Sequence, residues 1–212
     1  MQILSHRGFW LSAEEKNSVS AFERSFDQGF GTETDIRDFN GNLVISHDIA
    51  DKSCIGVPEF LGIYRRGSQN LPLALNVKAD GLQALLKKTL EEQGIENYFV
   101  FDMSVPDMVG YLKAGLKTFT RQSELETPPA LYEQASGVWL DEFHSHWIDE
   151  DIIVRHISND KRVCIVSPEL HGRKYQYEWN HYRDIDRKLS SDAIMLCTDH
   201  PEIAKEFFDA KN

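Results

Sequence analysis

Short apolar runs alternate with amphipathic segments along most of the chain. The apolar runs predict strands at residues 3–5, 32–37, 73–78, 98–101, 117–121, 138–140, 162–166 and 193–197. The segments between them predict helices at residues 19–30, 82–93, 106–114, 129–134, 150–157, 175–189 and 202–210. Strands that alternate with helices in this way are typical of βα units that form a parallel sheet.

One part of the chain departs from this alternation. Asn40 and Gly41 predict a tight turn, after which residues 43–46 return as the antiparallel partner of the second strand. The connection at residues 49–72 contains a predicted short helix at 59–64. It ends in a predicted loop that contains Gly67, Ser68, Asn70 and Pro72.

Eight strands separated by helices predict an α/β fold of the TIM (β/α)8 barrel type, with a small extra hairpin after strand 2. The alternative, an open doubly wound sheet, is disfavoured because no glycine-rich phosphate loop follows any strand. The 212 residues lie at the short end of the range for a barrel. No repeat, low-complexity segment or linker interrupts the chain, so residues 1–212 are interpreted as a single compact domain.

Composition narrows the classes of partner and compartment. A formal net charge of −11 disfavours nucleic acid and anionic membranes, so a phosphate substrate would need local positive charge. Neither a signal-peptide pattern nor an apolar stretch of membrane-spanning length is present, which argues against stable membrane insertion. The three cysteines lack metal-ligand spacing and indicate buried thiols in a reducing compartment, so we expect a cytoplasmic protein.

Two carboxylates stand out in the second strand. Glu33 and Asp35 are two residues apart, so they project from the same face of the strand, where their charges repel each other unless solvent or a cation intervenes. His6 and His47 precede and follow them in the sequence. The pattern leaves two interpretations open: a solvated strand face, or a divalent-cation site between two acid/base candidates.

Polar side chains recur where the predicted strands end, which is where TIM barrels carry their active sites. Besides the four residues above, these positions hold Arg7, Asn76, Lys78, Asp102, Arg121, Asp141, Glu142, Glu169, His171 and Asp199. Ordinary helix capping is an alternative interpretation for Asp102 and Asp199.

The order of these motifs resembles that of the glycerophosphodiester phosphodiesterase family, within the phospholipase C-like TIM-barrel phosphodiesterases. The resemblance rests on HRG at residues 6–8, Asn17-Ser18 opening a helix, Glu33-x-Asp35, His47-Asp48, the Phe101-Asp102 strand end and Thr198-Asp199-His200-Pro201. It implies a divalent metal, Mg²⁺ or Ca²⁺, on Glu33, Asp35 and the position of Asn76, with His6 and His47 as the acid/base pair. It also implies a role in lipid metabolism and phosphate contacts from Arg7 and Lys78, with Arg121 as a further candidate for substrate binding.

The chain differs from the family pattern at three places. Asn76 stands where the family has its third carboxylate ligand, so it is a weaker ligand, a ligand through water, or the mark of a lost site. Only residues 49–72 replace a longer family insertion that recognises glycerol. The turn SPELHGR at 167–173 replaces the family's aromatic strand ending, and we predict that Glu169 and His171 contact the non-phosphate part of the substrate. The alternative for these two residues is a loop network around Pro168 and Gly172.

Three functions remain open on the sequence. The first is a metal-dependent phosphodiesterase that cleaves a small-molecule phosphodiester by histidine acid/base catalysis, through a cyclic phosphate or by direct attack of water. The second is a non-catalytic barrel that binds phosphoesters or sugar phosphates and has a decayed metal site. The third is a different barrel chemistry, such as a lyase. The presence of both His6 and His47 favours catalysis, because binding alone needs no acid/base pair.

Overall fold

The computed structural model describes residues 1–67 and 70–210, so the predicted loop residue Ser68 lies outside the described part. The chain divides into two compact units, one of residues Ser5–Thr118 and one of Met1–Leu4 with Phe119–Asn212. Each is described by itself below. The interpretation as a single domain stays a prediction.

The unit of residues 5–118 contains the predicted hairpin and the first helices. Its strands are β1 (Gln2–His6, of which Ser5 and His6 belong here), β2 (Gly31–Phe39), β3 (Asn42–Ile45), β4 (Ile55–Gly56), β5 (Leu73–Val77) and β6 (Tyr98–Phe101). Its helices are α1 (Val19–Asp27), α2 (Val57–Arg66), α3 (Gln83–Glu92) and α4 (Val105–Lys113), with a 3-10 helix at Ala13–Glu15.

The long strand β2 organises this unit. Its first half pairs in parallel with β5, which in turn pairs with β6, whereas its second half pairs with β3 in the antiparallel hairpin. The short strand β4, which the sequence did not predict, extends the hairpin. Because β2 runs on to Phe39, Glu33 and Asp35 lie within the strand, at the point where its parallel pairing gives way to the hairpin.

Aromatic packing attaches the first helices to this sheet. Phe22 of α1 meets Phe60 of α2 with ring centroids 4.6 Å apart, and Phe26 contacts Tyr64 at 5.3 Å. Ser18 caps α1 by accepting a hydrogen bond from the backbone N–H of Ala21, as the Asn17-Ser18 opening predicts. The helix ends at Asp27, earlier than predicted, since Gly29 has a φ of +77° that a right-handed helix does not allow.

The unit of residues 119–210 is a parallel array of four strands with helices after all but the first. Its strands β7 (Phe119–Gln122), β8 (Gly137–Leu140), β9 (Arg162–Val166) and β10 (Ile194–Thr198) pair in that order. Its helices are α5 (Glu150–Ser158), α6 (Gln176–Leu189) and α7 (Pro201–Asp209), with a 3-10 helix at Pro168–His171.

Two sequence interpretations are wrong. The predicted helix at 129–134 is a series of turns, because Leu131 has a φ of +50° and breaks a right-handed helix at its centre. The capping alternative also fails for Asp102, and for Asp199 it stays a prediction. Ser104 caps α4 by accepting from the N–H of Asp107, and the residue at the start of α7 is His200, with no side-chain cap.

The α/β fold class is confirmed. Within residues 1–67 and 70–210, a helix separates each pair of consecutive barrel-type strands (β1, β2 and β5–β10) except β7 and β8, which turns connect, and β3 and β4 are the extra hairpin strands. This is the element order of a TIM barrel. None of the helices in the described ranges has both the length and the apolar character needed to cross a bilayer.

Candidate functional site

The carboxylates of Glu33 and Asp35 are both buried, with exposed fractions of 1% and 0%. They reach this position because β2 is an interior strand with β1 and β5 as its neighbours. Burial raises the pKa of Glu33, and the nearby charge of Asp35 raises it further, against the opposing effect of His6, Arg7 and Lys78. The solvated-face interpretation is therefore wrong for this pair.

Two oxygen atoms on adjacent strands have no hydrogen-bond partner. Asp35 on β2 and Asn76 on β5 are direct register partners, and the Oδ1 atom of each is buried without a partner in the described part of the chain. Buried oxygens of this kind are costly unless a donor or a cation satisfies them. Together with Glu33 they form an all-oxygen donor set, which fits a hard divalent cation such as Mg²⁺ or Ca²⁺.

Two cationic side chains lie against the same carboxylate. The Nε atom of Arg7 is 3.1 Å from Asp35 Oδ2, although it is not aligned for a hydrogen bond. The Nζ atom of Lys78 is 3.7 Å from Asp35 Oδ1 and 3.1 Å from Asp102 Oδ2. Arg7 also donates its backbone N–H to the backbone oxygen of Glu33 at 2.9 Å. These two side chains supply the local positive charge that a protein of net negative charge needs in order to bind a phosphate group.

Asn17 is a site residue for which the sequence predicted only a helix start. Its Nδ2 atom donates to Asp35 Oδ2 at 2.8 Å, and its Oδ1 atom accepts from the hydroxyl of Thr34 at 2.8 Å. Its backbone N–H donates to the backbone oxygen of Arg7, and its φ is +60°. Asn17 therefore fixes the orientation of the Asp35 carboxylate. The motif match at Asn17-Ser18 was the signal that pointed to it.

The two histidines approach the site from different elements. His6, at the end of β1, has its Nε2 atom 3.9 Å from Glu33 Oε2. His47 follows β3, where Ser46 donates its backbone N–H to the backbone oxygen of Asp35 at 3.0 Å. The Nδ1 atom of His47 lies 3.0 Å from the carboxylate of Asp48.

A cavity of about 540 Å³ adjoins these groups. It is lined by Arg7, Glu14, Lys16, Asn17, Ser18, Val19, Ile45, Ser46, His47, Asp48, Ser53, Cys54 and Ile55. The structure thus connects His6, Arg7, Glu33, Asp35 and Lys78 by direct contacts, places Asn76 beside Asp35 by strand register, and places His47 on a cavity that it shares with Arg7.

The remaining predicted residues belong to the unit of residues 119–210. The guanidinium of Arg121 lies 5.8 Å from the ring of Phe143, and that ring lies 4.7 Å from His171. The Nε2 atom of His171 is 2.5 Å from Asp141 Oδ1. Glu169 accepts hydrogen bonds from the hydroxyls of Ser167 and Thr198. The contacts of Glu169 support the loop-network alternative, and the predicted substrate contact of Glu169 and His171 stays a prediction.

A second cluster, Glu142 with His146 and Glu178, has ligand atoms within 4.8 Å of one another. Its central carboxylate is already satisfied. Glu142 Oε1 accepts from the backbone N–H groups of Trp147 and Ile148, both at 2.8 Å, and lies 2.9 Å from His146 Nδ1. Oε2 accepts from the hydroxyl of Tyr182 at 2.9 Å. Because the oxygens of Glu142 already accept these hydrogen bonds, the cluster is better explained as a structural anchor than as a metal centre.

Solved structures share the fold of this chain. A Galdieria sulphuraria protein assigned as a glycerophosphodiester phosphodiesterase has a TM-score of 0.79 at 15% identity, with 99% of this chain and 98% of that chain covered. A glycerophosphodiester phosphodiesterase from Agrobacterium tumefaciens gives 0.73 at 15% identity, covering 99% of this chain and 100% of that chain. An Oleispira antarctica phosphodiesterase in complex with the product sn-glycerol-3-phosphate gives 0.69 at 14% identity, covering 99% and 97%.

These similarities confirm the TIM-barrel fold, and they confirm at the level of fold the resemblance drawn from the motifs. Neither a family model nor a curated protein sequence matches the chain.

Proposed function

We propose that this chain is a metal-dependent phosphodiesterase, a phosphoric diester hydrolase that cleaves a small phosphodiester. The observation that carries the proposal is the pair of buried, unsatisfied oxygens on Asp35 and Asn76, next to Glu33. The solved proteins with the same fold add support, since those named above are described as phosphodiesterases and one holds sn-glycerol-3-phosphate as its product. Their names favour a glycerophosphodiester over other phosphodiesters.

Glu33, Asp35 and Asn76 would hold the cation. Their oxygen donors favour Mg²⁺ or Ca²⁺ over softer metals. When bound, such a cation supplies Lewis-acid stabilisation for a non-bridging phosphate oxygen. Arg7 and Lys78, which already lie beside Asp35, would hold the other phosphate oxygens, Arg7 through its planar guanidinium.

His6 and His47 would carry the proton transfers. Imidazole exchanges protons near neutral pH, which suits a base that activates the nucleophile and an acid that protonates the leaving alkoxide. Asp48 lies against Nδ1 of His47 and can fix the orientation of the ring. The cavity that His47 shares with Arg7 is large enough for a small alcohol group. Attack by water and attack by a neighbouring substrate hydroxyl both fit these roles.

One observation favours the second candidate function, a barrel that binds phosphoesters without cleaving them. Arg7 and Lys78 both lie within 4 Å of Asp35, so this carboxylate has positive neighbours before any metal is added. The amide of Asn76 adds no charge to attract a cation. Binding of a phosphodiester without hydrolysis would then be expected.

Hydrolysis of an aryl phosphodiester, measured with and without added Mg²⁺ or Ca²⁺, separates the two candidates. On alkyl phosphodiesters, His6→Ala and His47→Ala should each lower kcat/KM on the order of 10²- to 10⁴-fold, the usual contribution of a general acid or base. With a nitrophenolate leaving group, which needs no proton, only the general-acid histidine should become dispensable. His144→Ala, which removes an exposed imidazole, is the matched control and should leave the rate unchanged.

Near-wild-type rates for both single variants on every substrate would contradict the acid/base pair. A wild-type protein that binds metal and phosphodiester but hydrolyses nothing would instead establish the binding function.

A further inference from the structure

Lys78 lies between two carboxylates, only one of which belongs to the proposed metal site. Its Nζ atom is 3.1 Å from Asp102 Oδ2 and 3.7 Å from Asp35 Oδ1. Lys78 and Asp102 lie close together because β5 and β6 are parallel neighbours, with Asn76 opposite Phe101. Both residues therefore follow the ends of their strands at the same edge of the sheet.

The backbone holds Asp102 in an unusual conformation. Its φ is +70°, in the left-handed region that residues other than glycine, asparagine and aspartate seldom adopt. Capping does not explain this conformation, because Ser104 supplies the N-cap of α4. The left-handed turn directly after β6 instead presents the Asp102 carboxylate to the ammonium of Lys78 at hydrogen-bond distance.

The oxygen of Asp35 nearest to Lys78 is the one that a metal would need. Asp35 Oδ1 is buried and accepts no hydrogen bond within residues 1–67 and 70–210, whereas Oδ2 already accepts from Asn17. A shift of Lys78 by less than 1 Å would place its ammonium at hydrogen-bond distance from Oδ1. Asn76 adds no negative charge that would help a cation compete with this ammonium.

The geometry points to Asp102 as a positioning residue for the metal site: its carboxylate holds the Lys78 ammonium away from Asp35 Oδ1 and keeps that oxygen available to a divalent cation. This inference rests on the proposed metal-dependent function. The role that it assigns to Asp102 acts through Lys78 and needs no contact with substrate.

Calorimetric titration with Mg²⁺ or Ca²⁺ alone tests the inference without any activity measurement. Asp102→Asn removes the charge and keeps a side chain that tolerates a positive φ, so the variant should fold. We expect it to weaken cation binding on the order of tenfold, because a neutral amide attracts the Lys78 ammonium less strongly than a carboxylate and Asp35 then competes better for it. Asp80→Asn, which removes a carboxylate two residues after Lys78, is the control and should change the affinity far less.

A double-mutant cycle with Lys78→Met identifies the route of the effect. Without the ammonium, Asp102→Asn should lose most of its effect on the affinity, since nothing remains to be held away from Asp35. An Asp102→Asn effect that is equal with and without Lys78, or equal to that of Asp80→Asn, would overturn the positioning role while leaving the metal site intact. A wild-type protein that binds neither cation would overturn both the metal site and this inference.

Discussion

At the scale of the residue, Asn76 is the neutral member of the proposed metal site and should determine how strongly that site binds a cation. An amide oxygen offers the same lone pair as a carboxylate but no net charge. Because Asn76 Oδ1 is buried and no described residue donates a hydrogen bond to it, the position is suited to coordination directly or through a water.

Asn76→Glu should tighten binding of Mg²⁺ or Ca²⁺, because it adds a full negative charge opposite Asp35. The same charge should lower the free energy of unfolding of the metal-free protein, since two carboxylates then face each other across adjacent strands. Titration calorimetry and thermal unfolding with and without metal measure the two effects. Asn76→Gln, which changes length without charge, is the control. Unchanged or weaker cation binding by Asn76→Glu would place residue 76 outside coordinating distance.

The sequence predicts which side chains share a face where local periodicity places them, but not contacts between residues that are distant in the chain. Glu33 and Asp35 follow from the two-residue repeat of a strand. The role of Asp102 could not be predicted in this way, because telling a helix cap from an ion pair requires knowledge of Lys78, which lies 24 residues earlier. Asn17 was predicted only to open a helix, since its contact with Asp35 depends on where β2 runs relative to the start of α1.

At the scale of the element, the extension of β2 into a hairpin brings His47 to the site. The antiparallel return of β3 places Ser46 opposite Asp35, so the next residue, His47, reaches the cavity that Arg7 also lines. The Asn40-Gly41 turn and the apolar residues of β3 were sufficient to predict this hairpin. The helix predicted at 129–134 is absent from the structure, and the sequence could not show this, because nothing in the composition of that segment indicates the left-handed conformation of Leu131.

The 3-10 helix Pro168–His171 carries the predicted specificity element. His171 is oriented by Asp141 and by the ring of Phe143, so its position is fixed without substrate. We expect His171→Ala to alter relative kcat/KM across phosphodiesters that differ only in the alcohol, and to leave metal affinity unchanged. Phe143→Leu, which removes the ring contact, should alter the same ratios more weakly. A common factor for all substrates would rule out a role in specificity.

At the scale of the whole molecule, a buried histidine links stability to pH. His156 on α5 is 3% exposed, and its Nδ1 atom lies 2.9 Å from the hydroxyl of Tyr132. Burial, with the nearby charge of Arg155, lowers its pKa from 6.5 to about 4. The unfolded chain therefore takes up this proton more readily than the folded one.

The stabilising effect of a neutral His156 is complete above pH 6.5 and is lost as the pH falls towards 4. The loss amounts to about 3 kcal/mol at most. His156→Gln should flatten the dependence of the free energy of unfolding on pH in this window, as measured by urea denaturation. Exposed His144→Gln is the control. A wild-type slope retained in His156→Gln would assign the dependence to other groups.

The ionisation of Glu124 should affect the free energy of unfolding in a more acidic pH range than that of His156. Burial opposes its ionisation, but hydrogen bonds from the backbone of His144, Ser145 and Phe143, with its own N–H, lower its pKa to about 2. Its contribution to stability is present above pH 4.5 and is lost as the pH falls towards 2, so it overlaps the His156 range only at the acid end of that range.

The left-handed residues Arg7, Asn17 and Asp102 restrict how this protein can evolve. Each sits at a positive φ within the candidate site, a conformation that costs on the order of 1–3 kcal/mol for residues other than glycine. Glycine at any of the three would relieve that strain and remove the side chain that contacts Asp35 or Lys78. Selection for stability alone would therefore favour glycine at the positions where the proposed chemistry requires a side chain, and a descendant released from catalysis should lose these three residues early.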